Sequence, residues 1–444
     1  MKAGGLVSAV GVLAVLGGLV WWTNKHPSTG ADAKKKTDDT PKIVSLDPGQ
    51  MQQIRIAKPG SDPVVLKKLA DVWAITEPKP MDADSEAVGP LTGALGTITA
   101  DRVIDENPAS LDPYGLGPTA TEVDITMKDG KTTKLFVGSA TVSGSDNYAR
   151  VEGNPKVYTV PSSVKSGFDK GVDDLRDKRL MTFNQNKLTS VTLTAKGPSA
   201  EFTKNKDGDW QITKPKPMRA DSLQVDDLVR KLLDAKMDLT GNFDAKDAAS
   251  KFATGTKIAT ATATDNHGTQ SMEVRKVKDD YYAKSTAVEG VYKIVSDIGD
   301  GLNKDVEAFR NKKVFDFGFN DVTKVEINGQ AYDKAGDKWT SSGVQFDSGT
   351  IQSVIDKLRD LAATKFSEKP AGTKALTVAI TSGDKHNVEK ATIYKEGDAK
   401  DGNQYAQRDG DSTIYVLDAK AVGDLQKAVS EIKQYVPPKN DSKK

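Results

Sequence analysis

The sequence predicts an α+β protein, in which three tandem copies of a mixed module follow one N-terminal transmembrane helix. Residues 3–22 carry no charge and are dominated by apolar side chains. Residues 73–84 recur as residues 210–221, which is 210 − 73 = 137 positions later, and a separation that long indicates duplicated domains and not a solenoid. Each copy combines several strand patterns with two helical patterns. We interpret it as a hairpin, a helix, an antiparallel meander and a second helix.

The composition limits the classes of function. The chain has 444 residues, a length typical of about two to four domains. Its 63 basic and 62 acidic residues give a net charge of +1, and no basic stripe with interleaved aromatic residues is present. We therefore expect no nucleic acid partner. Cysteine is absent, which excludes disulfides, thiol catalysis and cysteine-held metals, and no cofactor is expected.

The N-terminal apolar run predicts a membrane anchor. About 20 apolar residues cross roughly 30 Å of hydrocarbon as a helix, and Trp21 and Trp22 at the end of the run suit the membrane interface. A cleaved signal peptide is the alternative, but its apolar region is shorter. We expect an uncleaved anchor over residues 1–24, with the membrane contacted through residues 3–22. A flexible tether over residues 25–42 and a largely extracytoplasmic chain complete this prediction.

Tryptophans mark the start of each module. Trp73 and Trp210 each stand two positions before an isoleucine, so both side chains lie on a strand face that we expect to be buried. Trp339 holds the same position in a third copy that lacks the prolines of the other two. A ligand-stacking role for these rings is the alternative to a core anchor, which we favour. The predicted domains are modules over residues 43–182, 183–316 and 317–436 and a disordered tail over residues 437–444.

A helix is predicted to follow each tryptophan strand. Asp84, Asp221 and Asp347 are the predicted N-caps, because aspartate accepts hydrogen bonds from the first backbone N–H groups of a helix. Apolar residues then recur at helical spacing, and in the second copy they occupy i, i+3, i+4, i+7 and i+8 from Val225. The prolines that precede the first two caps are expected to end strand pairing, since proline cannot donate to a ladder.

Paired strands and a second helix close each module. Tyr148, Tyr282 and Tyr405 occupy matching places in three strand pairs, and an apolar helical pattern follows each pair. The first two closing helices end in related basic clusters. Their residues are candidate contacts for a partner or for acidic lipid headgroups, although a basic helix end that complements the helix dipole is the favoured interpretation. These residues are Arg176, Lys178, Arg179, Arg310, Lys312 and Lys313.

One set of motifs consists of Trp73, Ile75, Pro78 and Asp84, the turn at 114–118, the strand residues 136–138, 148–150 and 157–158, and the closing segment 175–178. These motifs resemble the bacterial family labelled domain of unknown function 4340. The resemblance covers the first two modules, and the third departs from it. It implies a membrane anchor, repeated extracytoplasmic domains, a location at the inner membrane and an accessory role beside an ABC-type transport system related to gliding-motility components. It carries over no catalytic residue.

No constellation of catalytic or metal-binding residues stands out. His26 lies in the tether, and His267 and His386 lie in polar turns without the spacing of a metal site. Residues 397–404 have the glycine spacing of a phosphate-binding loop but lack its Lys-Ser/Thr pair. We therefore do not expect an enzyme.

The leading functional hypothesis is a membrane-anchored extracytoplasmic scaffold or interaction protein, accessory to an ABC-type transport complex. The alternative is a module that binds cell-wall polysaccharide or peptide through exposed aromatic side chains. Solvent exposure separates the two, because buried tryptophans count against the alternative.

Overall fold

Antiparallel β-sheets dominate the fold. We analysed a computed structural model. It describes residues 41–241, 243–368, 372–396 and 404–437. In these residues 28 strands form four sheets of two, nine, eight and nine strands. The chain divides into two compact units, residues 1–178 and residues 179–444.

The predicted α+β class is wrong. Each of the three large sheets is one continuous antiparallel sheet with helices packed on it. Strands greatly outnumber helices, whereas the predicted class has comparable amounts of both. Sequence patterns understated the strands because several have only two to four residues, too few to show alternation. They overstated the helices, because two of the predicted closing helices are broken into short pieces. A repeat-like architecture is nevertheless evident.

The first unit contains a two-stranded sheet and the nine-stranded sheet one. Its strands are β1 Lys42–Ser45, β2 Met51–Ala57, β3 Val64–Leu69, β4 Val72–Glu77, β5 Met81–Asp82, β6 Thr97–Thr99, β7 Arg102–Asp105, β8 Thr121–Met127, β9 Thr132–Ala140, β10 Asp146–Val151 and β11 Val157–Pro161. Its helices are α1 Ser85–Gly96, α2 Ser162–Phe168 and α3 Val172–Leu175. Strands β1 and β6 pair with each other, and sheet one has the order β5-β4-β3-β2-β8-β9-β10-β11-β7.

The second unit begins with the eight-stranded sheet two. Its strands are β12 Ser190–Thr194, β13 Ala200–Lys204, β14 Trp210–Lys214, β15 Met218–Arg219, β16 Thr256–Asp265, β17 Gly268–Val277, β18 Asp280–Ser285 and β19 Val291–Ile294. The helices are α4 Ser222–Asp234, α5 Ala245–Thr254 and α6 Ser296–Leu302. The order β15-β14-β13-β12-β16-β17-β18-β19 repeats that of sheet one without the last strand.

The nine-stranded sheet three completes the second unit. Its strands are β20 Val322–Ile327, β21 Gln330–Ala335, β22 Lys338–Ser341, β23 Val344–Phe346, β24 Ala363–Ser367, β25 Thr373–Ser382, β26 Asn387–Lys395, β27 Gln404–Arg408 and β28 Ile414–Leu417. The helices are α7 Ser348–Asp360 and α8 Ala419–Ser430. The order β23-β22-β21-β20-β25-β26-β27-β28-β24 matches sheet one, because β24, like β7, comes after the long helix in the chain and lies at the sheet edge.

The long helices bury the apolar faces that their sequences predict. In α4 the side chains of Val225, Leu228, Val229 and Leu232 are at most 2% exposed and belong to the core of sheet two. Burial of each such side chain contributes about 1.5–3 kcal/mol. Part of the opposite face of sheet two, over β17–β19, packs against α5, a helix that was not predicted from the sequence.

The strands β4 and β14 end at Glu77 and Lys214, directly before the repeated prolines as expected, but the pairing resumes beyond each proline turn. After the proline turn of the first copy, Met81 pairs with Ile75, and after that of the second copy Met218 pairs with Ile212. The peptide bonds before Pro78 and Pro215 are cis. Proline is compatible with this arrangement because it occupies the loop and leaves the ladder donors to its neighbours.

The closing helices differ from the predicted single helices. In the first copy α2 ends at Phe168, and α3 restarts where the Gly171 N–H donates to Asp174 at 2.8 Å. In the second copy α6 is followed by a separate 3₁₀ turn, Val306–Phe309, capped by Asp305. Glycine and cap residues restart a helix instead of continuing it. The sequence patterns identified the apolar positions but not these interruptions.

The predicted transmembrane helix at residues 3–22 lies outside the described residues, as do most of the tether and of the C-terminal tail. A helical crossing needs about 20 consecutive apolar residues. In the part of the chain that the structure describes, the longest helices have 13 residues, and none combines the length and apolar character of a membrane span. The described residues therefore do not support the predicted single-pass location at the inner membrane, and that prediction is corrected here.

Candidate functional site at a junction of two sheets

The predicted tryptophan anchors pack against the cores of the sheets. Trp210 and Trp339 are 4% and 3% exposed, and the indole N–H of Trp210 donates to Asp226 at 2.8 Å. Trp73 is half-buried against the core of sheet one, with the Lys68 ammonium 5.5 Å from its ring centroid. Two of the three rings are therefore unavailable for stacking on a ligand, which weighs against the wall-binding alternative.

The three predicted aspartates cap helices. Each carboxylate accepts a backbone N–H from the first turn of its helix, at 2.8, 3.0 and 3.1 Å for Asp84, Asp221 and Asp347 respectively. A cap of this kind stabilises a helix by about 1 kcal/mol. The geometry gives these residues a structural role at the start of α1, α4 and α7.

The predicted tyrosines form contacts apart from the main helix-covered cores. Tyr282 packs in a small apolar cluster beneath α5. Tyr405 belongs to another small cluster on sheet three, and its hydroxyl donates to Glu396 at 2.9 Å. The ring of Tyr148 meets that of Tyr114 edge-on, with centroids 5.1 Å apart. These side chains pack the second faces of the sheets.

The turn that follows Tyr114 rests directly on strand β9. Gly115 has a φ of +63°, and a Cβ placed on Gly138 would lie 2.2 Å from the Tyr114 carbonyl oxygen. Only glycine permits that approach. The buried amide of Asn147 donates to the Gly138 carbonyl at 3.0 Å, and the Tyr114 hydroxyl donates to Asp105 at 3.0 Å. Two motifs that are distant in the sequence are therefore one packed contact.

The first basic cluster begins at the C-cap of α3, Arg176, and continues as an extended segment. The guanidinium of Arg176 lies 3.7 Å from Asp173, and its main chain forms a bridge with the residue after β5. Lys178 is half-buried. Arg179 is exposed, and its main chain forms a bridge with Lys236. The cluster is held by main-chain pairing, so the expected complement to a helix dipole is not its main contact.

The second basic cluster makes contacts inside the chain. Arg310 is 8% exposed, and its guanidinium lies 3.0 Å from both carboxylate oxygens of Glu307 and 3.5 Å from the ring centroid of Phe366. The Lys313 ammonium donates at 3.0 Å to a carbonyl near the end of α7. Lys312 is exposed. Two of these predicted partner contacts therefore hold sheet three against the end of the preceding module.

The main chain of this cluster also joins two sheet edges. The Asn311 N–H donates to the Arg219 carbonyl on edge strand β15 at 2.9 Å. One residue later, the Lys312 carbonyl accepts from the Ala363 N–H on edge strand β24 at 2.8 Å. We call residues 310–313 the junction linker. It pairs with sheet two and with sheet three in succession.

Arg219 is the central side chain of the junction, and the sequence analysis missed it. Its guanidinium donates to the Tyr415 hydroxyl at 2.7 Å, to the Lys313 carbonyl at 2.8 Å and to the Asp316 carboxylate. Burial raises the pKa of Tyr415 to about 12, against the opposing charge of Arg219. The signal for Arg219 was present in the repeat, because the corresponding residue of the first copy is Asp82.

A cleft of about 730 Å³ opens beside this junction, within the range of about 300–1,000 Å³ that is typical of ligand sites. Part of its wall is the second proline turn, so the repeated motif that begins each of the first two modules lines the cleft here. Side chains of both charge signs surround an apolar floor. We call it the junction cleft, lined by residues 196–198, 215–218, 305–307, 366–368 and 412–413 together with Arg310.

No metal centre is evident in the described ranges, where no group of three or more His, Asp or Glu side chains is arranged to hold a metal ion. The junction cleft instead offers apolar contacts and hydrogen bonds, which suits binding.

A family model matches more than half of the chain. The model described as Domain of unknown function (DUF4340) matches residues 73–251 and residues 210–375, which together span more than half of the 444 residues. The chain belongs to this family. The predicted DUF4340 resemblance is thus confirmed, and both matches begin at a module tryptophan, Trp73 or Trp210. Comparison with curated proteins and with solved structures finds no match.

Proposed function

We propose that this chain is a non-catalytic protein-interaction scaffold that binds its partner in the junction cleft. The partner that we propose is a subunit of an ABC-type transport complex, and this choice follows from the family resemblance. The observation that carries the binding role is the cleft itself, which is wide enough for a ligand and is walled by the repeated proline turn.

The walls of the cleft are fixed before a partner arrives, which favours binding. Arg219 connects β15 to Tyr415, and Arg310 stacks on Phe366 while paired with Glu307. Sheets two and three therefore meet through charged hydrogen bonds and a cation–π contact at the base of the cleft. A site that is already ordered loses less conformational entropy when it binds.

A site-specific photocrosslinker tests this proposal in the native cell. The crosslinking amino acid replaces Lys216 in the cleft wall, and in a control chain it replaces the exposed Lys187, which precedes β12. Lys187 lies at the opposite end of β12 from the cleft residues 196–198. We expect a transport-complex subunit to be crosslinked from position 216 and not from position 187. Equal yields from both positions, or no adduct from either, would refute the proposed site.

A further inference from the structure

We infer that the junction cleft takes an extended polypeptide segment of the partner, in which an apolar side chain lies close in sequence to an acidic one. This inference rests on the function proposed above and specifies the chemistry of the partner. Three features of the cleft carry it: an apolar floor, acidic side chains that already have contacts, and one lysine that forms no ion pair with any described residue.

The floor of the cleft is apolar and rigid. Met218 is 8% exposed, and the ring of Phe366 is half-buried. The Arg310 guanidinium lies 3.5 Å from the centroid of that ring, and the Tyr415 ring contacts it edge-on with centroids 5.5 Å apart. Pro215 adds a second rigid apolar surface. An apolar side chain that enters meets a preformed surface and not a mobile one.

The carboxylates of the cleft are already engaged. Glu307 is paired with Arg310 at 3.0 Å. Asp305 accepts the Ala308 N–H at 3.2 Å as a helix cap. Glu368 lies 3.9 Å from the Lys216 ammonium. An incoming basic side chain would have to compete with these contacts, so a basic anchor is disfavoured.

Among the described residues, Lys196 is the one basic side chain of the cleft lining that forms no ion pair, whereas Lys216 and Arg310 are each paired with a carboxylate. Lys196 is exposed on the turn between β12 and β13. Opposite charge across an interface favours the matching partner and speeds its association. An acidic side chain of the bound segment is therefore the complement to Lys196.

A polypeptide satisfies both requirements at once, and a small anion does not. An isolated carboxylate or phosphate would find an exposed lysine but would leave the apolar floor unused. An extended segment presents alternate side chains to the protein, and its peptide groups can bond the hydroxyls of Ser412 and Thr413 in the wall. The wall includes the end of edge strand β24, and an edge strand is the kind of element to which an extended segment adds.

The test is selection from a displayed library of random dodecapeptides on the full chain. The wild type should enrich peptides that combine an apolar and an acidic residue. Met218→Glu should weaken the binding of those peptides about tenfold or more, because it places a charge on the floor. Lys196→Glu should switch the enrichment from acidic to basic peptides, whereas a matched control on an exposed turn, Lys206→Glu, should retain the wild-type preference.

The charge switch separates binding at this site from a general loss of folding, since a misfolded variant would enrich nothing new. The inference is overturned if the wild type enriches no peptide, or if Lys196→Glu keeps the acidic preference. If the library fails while position 216 still crosslinks to a transport subunit, the partner binds as a folded surface, and only this inference falls. If both experiments fail, the proposed function falls as well.

Discussion

Replacing Arg219 with alanine is the sharpest test of the junction between sheets two and three. The substitution removes the hydrogen bonds to Tyr415, at 2.7 Å, and to the Lys313 carbonyl, at 2.8 Å, together with the ion pair to Asp316. The Tyr415 hydroxyl keeps one contact, since it also donates to Asp411 at 3.1 Å. The substitution therefore removes the contacts that Arg219 makes and leaves the Tyr415 hydroxyl hydrogen-bonded to Asp411.

The expected loss of stability can be estimated from these contacts. A hydrogen bond to a charged group contributes about 1.5–3 kcal/mol when it is buried. The Arg219 and Asp316 side chains are 22% and 44% exposed, so their ion pair is screened by solvent and adds at most about 1 kcal/mol. We expect the second unit to lose about 3 kcal/mol of unfolding free energy. Arg230→Ala is the matched control, because Arg230 is 69% exposed on α4 and its loss should cost less than about 0.5 kcal/mol.

Two measurements check this estimate. Urea denaturation followed by tryptophan fluorescence reports the change in unfolding free energy. Hydrogen exchange at the Asn311 and Ala363 amides reports the junction itself, and a loss of about 3 kcal/mol should speed their exchange on the order of 100-fold. If Arg219→Ala behaves like Arg230→Ala in both measurements, the side chain of Arg219 does not hold the junction.

Three further predictions concern single residues. Burial raises the pKa of Tyr415 to about 12, against an ordinary 10.0. The neutral phenol therefore makes its full contribution to folding stability below about pH 10, and about 3 kcal/mol of unfolding free energy is lost as the pH rises through 12. Tyr415→Phe should remove that part of the pH dependence in urea denaturation at alkaline pH, and an unchanged slope would contradict it. Gly138→Ala should destabilise the first unit by about 3 kcal/mol, because the new Cβ meets the Tyr114 carbonyl at 2.2 Å; a melting temperature equal to that of the wild type would exclude this clash. Gly93→Ala should stabilise the same unit by about 1 kcal/mol, since nothing lies within 4 Å of a Cβ at that exposed helix position, and a lower melting temperature would show that the site is constrained.

Local signals in the sequence were informative about local structure. The cap at Asp221 and the apolar spacing that starts at Val225 predict α4, because a helix is determined by residues three and four positions apart. Strands as short as β5 and β15 carry no such signal. They exist because the preceding strand offers ladder partners across the proline turn. The helix α5 was missed because alanine and lysine fill most of it, which leaves few large apolar side chains to mark a face.

The candidate site depends on contacts that no local pattern contains. Tyr415 lies 196 residues after Arg219, and the hydrogen bond between them follows from the way two sheets pack. Arg310 was a candidate partner contact because of its charge alone, although a complement to the helix dipole was favoured. In the structure that charge is neutralised by Glu307 and covers Phe366. Charge clusters thus indicate where arginines are, and packing decides whether they face a partner or the chain itself.

The junction linker bears on how a chain of this kind can lengthen by duplication of its modules. An open strand edge is a template for pairing with another molecule, and long chains of sheet domains are prone to aggregate through such edges. Here residues 310–313 satisfy an edge of the sheet before them and an edge of the sheet after them. A gene segment that is copied together with its linker therefore brings its own edge protection.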